Sequence, residues 1–150
     1  MNRINIDWRD MDEPPWLAGA EAFASRVLER IGKDNWVLSL LFCDDDFIRT
    51  LNRDYRKKDE ATDVLSFAMG ETIEDDGGSV FMAGDIVISI PTLRRNAEEF
   101  GVEVDEEMKR LIIHGILHLS GMDHADNSPL QPMLVEQETI IRTFEGERIL

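Results

Sequence analysis

The sequence predicts an α+β fold: one domain of 150 residues, with about four strands in a mixed sheet and about five helices packed against it. Three observations predict it. Strand-like and helix-like apolar periods are mixed along the whole chain. Two of the strand patterns run almost directly into helix patterns, which suits parallel neighbours in part of the sheet. No repeat or linker divides the chain, and a chain of this size buries roughly 70% of its unfolded surface without needing staples.

The elements follow in order. "RINIDW" alternates apolar and polar residues and reads as a first strand. In "PPWLAGAEAFASRVLERIG", Pro15 opens a helix and Gly32 stops it. Trp16, Ala20, Phe23, Val27 and Ile31 lie at helical spacing there and belong to a core stripe. "WVLSLLFC" reads as a well-buried second strand, with the helix before it making a right-handed parallel crossover from strand one. "DDDFIRTLNRDYR" begins with acids and ends with bases, as a helix dipole favours; Asp44 to Asp46 are read as capping residues rather than a cation site. "RKKDEA" is a polar connection, "TDVLSFAM" a third strand, "GETIEDDGGSV" a mobile acidic loop and "AGDIVISI" a fourth strand. Pro91 opens "PTLRRNAEEFG" and Gly101 closes it. "DEEMKRLIIHGILHLSG" is the longest helix, with Met108, Leu111, Ile112, Gly115 and Leu119 on one face. The loop "MDHADNSPLQP" leads to a last helix ending near "TFEG".

Composition narrows the function classes. Hydrophobic content of 43% fits a folded chain rather than a disordered one. Cys43 is the only cysteine, so no internal disulfide forms; inside an apolar run, it reads as a buried strand residue. "MNRINIDWRD" has no apolar signal-peptide core, and no apolar run approaches the roughly 20 residues of a membrane span, so a cytoplasmic location is expected. A net charge of −15 repels phosphate backbones over most of the surface. Nucleic acid binding therefore requires a local basic patch. Arg49, Arg53, Arg56, Lys57 and Lys58 supply one.

The chemistry concentrates in "IIHGILHLSGMDH", which holds all three histidines of the chain. His114 and His118 are four apart on the longest helix and project from one face, one turn apart. Gly121 stands where a glycine can adopt the left-handed conformation that reverses the chain. His124 then swings back as a third nitrogen ligand. Three neutral imidazoles suit Zn²⁺, with Cu, Ni or Co chemically possible, and do not suit Mg²⁺ or Ca²⁺. Three protein ligands leave a fourth position open, as in catalytic zinc sites. Zinc peptidases of this spacing carry a glutamate after the first histidine as the base; this chain has Gly115, which makes amide hydrolysis the less favoured chemistry. Asp123 and Asp126 are the nearby acids. Asp123, beside a ligand, is either an orienting neighbour or a base.

These residues carry a family likeness. "HGILHLSGMDH" follows the pattern H-G-x-L-H-L-x-G-[YH]-D-H of the YbeY family of bacterial endoribonucleases and rRNA maturation factors, with Met122 where an aromatic is usual. "LNRDYRKKDEATDVLSFAM" resembles its block L-N-x-x-Y-R-x-x-D-x-P-T-D-V-L-S-F-P, with Ala61 and Ala68 in place of two prolines. "GDIVIS" and "MLVEQE" resemble two further blocks, and the likeness is weakest in the first thirty-odd residues. The resemblance implies a zincin-like fold, one Zn²⁺ held by His114, His118 and His124, and cleavage of single-stranded RNA. It also implies a role in 16S rRNA 3′-end maturation and ribosome quality control, with ribosomal or small-subunit proteins as partners. By motif position, Arg56 matches the arginine the family needs for activity.

Arg56 and His114 are therefore the expected catalytic residues. Arg56 is expected to grip the scissile phosphate, with Arg53, Lys57 and Lys58 beside it. The bland alternative for Arg56 is a structural ion pair with an acid such as Asp59. Tyr55 is read as a core or hinge residue rather than a base-stacking one, and Asp63 as a structural residue pairing with the basic segment. Two rival functions remain: a zincin-type metallopeptidase, and a non-catalytic ribosome-assembly factor stapled by its metal.

Overall fold

The computed structural model describes residues 1–124 and 126–150, the side chain of Asp75 excepted. Its elements are β1 (Arg3–Trp8), α1 (Leu17–Arg30), β2 (Trp36–Cys43), α2 (Asp45–Arg56), β3 (Val64–Asp75), β4 (Gly78–Ser89), α3 (Ile90–Phe100), α4 (Val104–Leu119) and α5 (Pro132–Thr143). The sheet order is β1-β2-β4-β3. β1, β2 and β4 run parallel, and β3 pairs antiparallel with β4, so the sheet is mixed, as expected.

Period-two alternation in the strands divides the apolar residues between two faces. Ile4, Leu38, Leu40, Phe42, Ile86 and Ile88 point to the main core. Against them pack Phe23, Val27 and Leu28 of α1, the apolar face of α4, and Met133 and Ile140 of α5. Side chains such as Phe23 and Leu28 are fully buried, each stabilising the fold by about 1.5–3 kcal/mol. The ends of the α1 stripe, Trp16 and Ile31, are only partly buried.

The opposite face carries α2 alone. Ile48 covers Cys43, Leu65 and Val87 there, with Leu51 and Phe47 at the margin. α2 starts where Asp44 accepts a hydrogen bond from the Phe47 N–H at 2.9 Å. Asp45 accepts from Ser89, Thr92 and Arg95, which ties α2 to the start of α3. The aspartate run is thus a cap and a tether. Cys43 is buried, and burial pushes its thiol up to about 12, so it is an inert core residue.

One expected element is wrong. "GETIEDDGGSV" is not a mobile loop but the outer half of the β3–β4 hairpin, closed at Asp76 and Gly77. Thr72 faces Phe81 and Ile73 faces Val80 across the ladder. Such β-branched and aromatic pairs favour strands, and Asp-Gly between apolar runs is a hairpin signal that the acidity of the segment obscures. The loop "MDHADNSPLQP" includes Ala125, which lies outside the described residues. After α5 the chain returns to α4: buried Asp105 accepts from the N–H groups of Ile149 and Leu150 at 2.8 and 2.9 Å. No helix among the described residues is long and apolar enough to cross a membrane.

Candidate active site

Helix α4 sorts its residues by rotation, at about 100° per residue. His114 and His118 emerge on one face, beside a cleft of about 770 Å³. Gly115 points elsewhere, into the sheet. A Cβ added there would lie 2.7 Å from Ile86 Cγ2 and 2.9 Å from both Cγ1 and Cδ1. The position of the peptidase glutamate is therefore packed against β4 and has no opening to the cleft.

The helix then ends as its sequence anticipates. Gly121 has φ 99°, its N–H donates to His118 O at 3.0 Å, and the Met122 N–H reaches Leu117 O at 3.1 Å. This pair of bonds is the Schellman motif, which satisfies the last carbonyls and turns the chain back. His124 returns to the other two histidines. Their ring centroids lie 4.6, 5.3 and 5.6 Å apart in pairs.

The nitrogens suit one ion. One potential ligand atom from each histidine falls within 4.8 Å of the others. His114 Nε2 and His118 Nε2 are 3.1 Å apart. Two nitrogens bound tetrahedrally to zinc at about 2.05 Å stand about 3.3 Å apart. The opposite ring nitrogens are engaged elsewhere. His114 Nδ1 is 2.7 Å from Gln137 Oε1, and His124 Nδ1 is 2.8 Å from the Asp126 carbonyl. The Asp126 carboxylate is occupied in accepting from the Ser128 N–H. Asp123 Oδ1 accepts from the His124 N–H at 2.8 Å, lies 3.9 Å from His118 Nδ1 and also lines the cleft. Burial pushes His114 and His118 below the ordinary imidazole range and keeps them in the neutral, ligating form.

Gln137 is the residue that the sequence reading missed. It is buried, and its Nε2 donates to Glu138 Oε2 at 3.1 Å. Glu138 in turn accepts two bonds from Arg110, at 3.1 Å each, and Arg110 also reaches Glu107 at 2.8 Å. Because a carboxylate only accepts, Gln137 must turn its NH₂ to Glu138 and its oxygen to His114. His114 therefore carries its proton on Nδ1, and its Nε2 lone pair faces the other histidines. Despite burial, the bonds from Arg110 and Gln137 hold Glu138 below the ordinary carboxylate range. Burial pushes Glu107 up. The one available signal was the "MLVEQE" block, which marks the helix but not which of its residues turns inward.

Arg56 ends α2 and lines the same cleft as His114, His118 and His124. The suspected partner Asp59 is instead bonded to Arg49 at 2.8 Å. Among the described residues Arg56 has no ion pair. Lys58 also lines the cleft. Arg53 and Lys57 do not: Arg53 pairs with Asp54 at 3.1 Å, and Lys57, in the left-handed conformation, donates to the Asp54 carbonyl. Asp63 bonds to Asn96 and to the Val64 N–H, not to the basic segment. Tyr55 is 68% exposed, packs edge-on against Phe67 at 5.4 Å, and lies in a separate groove. It is thus neither a core residue nor part of the cleft.

An α+β sheet thus brings three convergent imidazoles, which could hold a metal ion, and Arg56 into one cleft. The chain matches the family described as Endoribonuclease YbeY over residues 2–145, and it belongs to that family. It is 51% identical to the Endoribonuclease YbeY of Treponema denticola over 152 aligned residues, covering 99% of this chain and 97% of that protein. It is 45% identical to that of Aquifex aeolicus, covering 81% and 78%. The solution structure of TM1509 from Thermotoga maritima superposes with a TM-score of 0.66 at 26% identity, covering 97% of this chain and 90% of that one.

Proposed function

We propose that this chain is a single-domain, zinc-dependent endoribonuclease that cuts single-stranded RNA. In this reading it acts in the cytoplasm in 16S rRNA 3′-end maturation and ribosome quality control, in contact with the ribosome or its small-subunit proteins. The observation that carries the reading is Arg56, which has no ion pair among the described residues, lining one cleft with the histidine triad.

His114, His118 and His124 would hold one Zn²⁺ through Nε2. When bound, the ion supplies Lewis acidity at the phosphoryl group and acidifies water. The chain's own residues do the rest. Arg56 presents a planar two-pronged donor to the phosphate and balances charge as it develops on the oxygens. Lys58 adds a second cation on the same wall. Gln137 fixes the His114 tautomer, and Asp123 holds the backbone of His124.

The peptidase reading lacks its base, since position 115 faces Ile86. The staple reading needs a fourth protein ligand, and among the described residues only the three histidines cluster. The test compares wild type, Arg56→Ala and His114→Ala on a single-stranded RNA, with zinc content measured for each. Arg56→Ala is expected to keep its zinc and lose about 100-fold or more in kcat/KM. His114→Ala is expected to lose both. Arg56→Ala that cuts at the wild-type rate with its metal in place would sink the phosphate-clamp role.

A further inference from the structure

Strand β3 is an edge of the sheet, and its free side forms a wall of the cleft. Its hydrogen-bonding phase can be read from two contacts. The Ser89 N–H donates to the Asp63 carbonyl at 2.9 Å, so Asp63 and Ser89 form a hydrogen-bonded pair of the antiparallel ladder. In such a ladder the bonded pairs recur every second residue. Leu65 opposite Val87 and Phe67 opposite Asp85 are then the next bonded pairs. Val64 and Ser66 consequently turn their N–H and C=O away from β4. The Val64 N–H confirms this phase, because it is taken by the Asp63 side chain at 2.8 Å instead of by a strand.

That leaves Ser66. No strand pairs beyond β3, and among the described residues its outward N–H and C=O have no partner. Ser66 lines the same cleft as His114 and Arg56. An edge residue with both groups turned outward presents one donor beside one acceptor. Each of the four RNA bases presents an adjacent acceptor and donor on its Watson–Crick edge, and that edge is free only in an unpaired base.

We propose that the Ser66 backbone is a nucleobase subsite, pairing its N–H and C=O with the Watson–Crick edge of an unpaired RNA base next to the phosphate held by Arg56. The inference rests on the ribonuclease reading above and deepens it. It explains how the cleft would refuse duplex RNA without reading sequence: a paired base has no edge to offer, while any unpaired base does. The base path also needs no cation, in a chain of net charge −15.

Two measurements on the zinc-loaded protein test it. In the first, single abasic nucleotides are walked across the cleavage site of an RNA oligonucleotide. One position is expected to lower wild-type kcat/KM about tenfold, the worth of an unmet hydrogen-bonding pair. The walk is repeated with Ser66→Pro, which deletes the outward N–H; an edge strand tolerates proline where that N–H faces away from the ladder. Ser66→Ala, which keeps both backbone groups, is the reference. Ser66→Pro should fall about tenfold below Ser66→Ala on intact RNA, with zinc content and Tm held, and the abasic position should cost Ser66→Pro nothing more. The second measurement needs no variant. Exchange of the Ser66 amide proton should slow when a backbone-modified single-stranded RNA that the enzyme is shown not to cut binds, and not when its abasic counterpart binds.

Abasic and proline losses that multiply independently overturn the subsite, as does an abasic walk without effect. An amide protected by an extended peptide and not by RNA assigns the edge to peptides and overturns it too. A wild type that neither binds nor cuts RNA overturns the parent reading together with the subsite. A wild type that cuts RNA while Ser66 is indifferent overturns the subsite alone.

Discussion

Gln137→Leu isolates the support behind the histidine cluster. Leucine nearly fills the volume of the amide but offers no acceptor to His114 Nδ1, now 2.7 Å from Gln137 Oε1. The Nδ1–H is then left in a half-buried position without a partner, which costs about 1–3 kcal/mol. His114 also loses the constraint on its tautomer, and loss of such a supporting contact weakens metal binding about 10–100-fold. That range corresponds to about 1.4–2.7 kcal/mol in zinc binding, separate from the cost to folding. Gln137 is only 6% exposed, so leucine keeps the packing, while the unpaired Nδ1–H and the lost bond to Glu138 should lower Tm by several degrees. Zinc affinity is read by competition with a chromophoric chelator at constant pH. ¹⁵N NMR of the metal-free protein should show His114 protonated at Nδ1 in wild type and mixed in the variant. Gln137→Glu should shift affinity the other way, because an anionic acceptor makes the imidazole a stronger ligand. It should also lower stability, because it replaces a donor to Glu138 with a second carboxylate. Zinc affinity of Gln137→Leu within twofold of wild type would refute the whole chain of reasoning.

Four further outcomes are expected. The metal-free protein should lose stability as pH falls below about 6.5: burial lowers the folded pKa of His114 and His118, so the unfolded chain binds more protons there, and urea titrations at several pH values should show the loss. Gly115→Ala should destabilise, because overpacking against Ile86 costs about 1–3 kcal/mol while the gain in helix propensity is about 1 kcal/mol; adding Ile86→Val should recover part of the loss in thermal melts. Asp105→Ala should cost about 3 kcal/mol in urea unfolding, since it leaves two backbone N–H groups and buried Lys109 without their carboxylate. Binding of single-stranded RNA should depend weakly on salt, with a slope of log K against log salt near −1.4 for contacts by Arg56 and Lys58 alone; a slope near −3.5 would mean that the whole basic run touches phosphate.

The fold was legible wherever local chemistry and tertiary packing agree. Capping aspartates, Pro91, Gly101 and the apolar stripes placed all five helices, because each signal acts within a few residues of the chain. The acidic hairpin was not legible: its strands are stabilised by partners such as Val80 opposite Ile73, and the charge along "GETIEDDGGSV" conceals the alternation. The histidine cluster was legible because three histidines and a helix-ending glycine fall within eleven residues, about the reach of one helix and its turn. Gln137 and the Ser66 edge were not. Gln137 reaches His114 from another helix, and the Ser66 contribution is backbone, which no residue letter records. The basic run was legible but misleading, since sequence proximity counts cations without counting the acids that claim them. Arg49 and Arg53 are paired, and Lys57 turns to a carbonyl.

Gly115 joins these observations. As a sequence feature it reads as a deletion, the peptidase base removed. In the structure it is a contact, because only a residue without a Cβ lets α4 lie this close to Ile86 of β4. That approach has a consequence for the site. α4 packs directly on β3 and β4, so His114 shares a cleft with the free edge of β3 and with Arg56 at the end of α2. A helix held farther from the sheet by a larger residue at 115 would carry the histidine pair away from both. A glutamate and the close α4 packing seen here are therefore mutually exclusive at this position. What the chain lacks as an acid–base group at 115 it has as proximity between its histidine cluster, Arg56 and the β3 edge, neither of the last two paired among the described residues. On this geometry, Gly115→Glu is expected to disrupt the cleft rather than to create a peptidase, with zinc affinity and RNA cleavage falling together and no gain in amide hydrolysis.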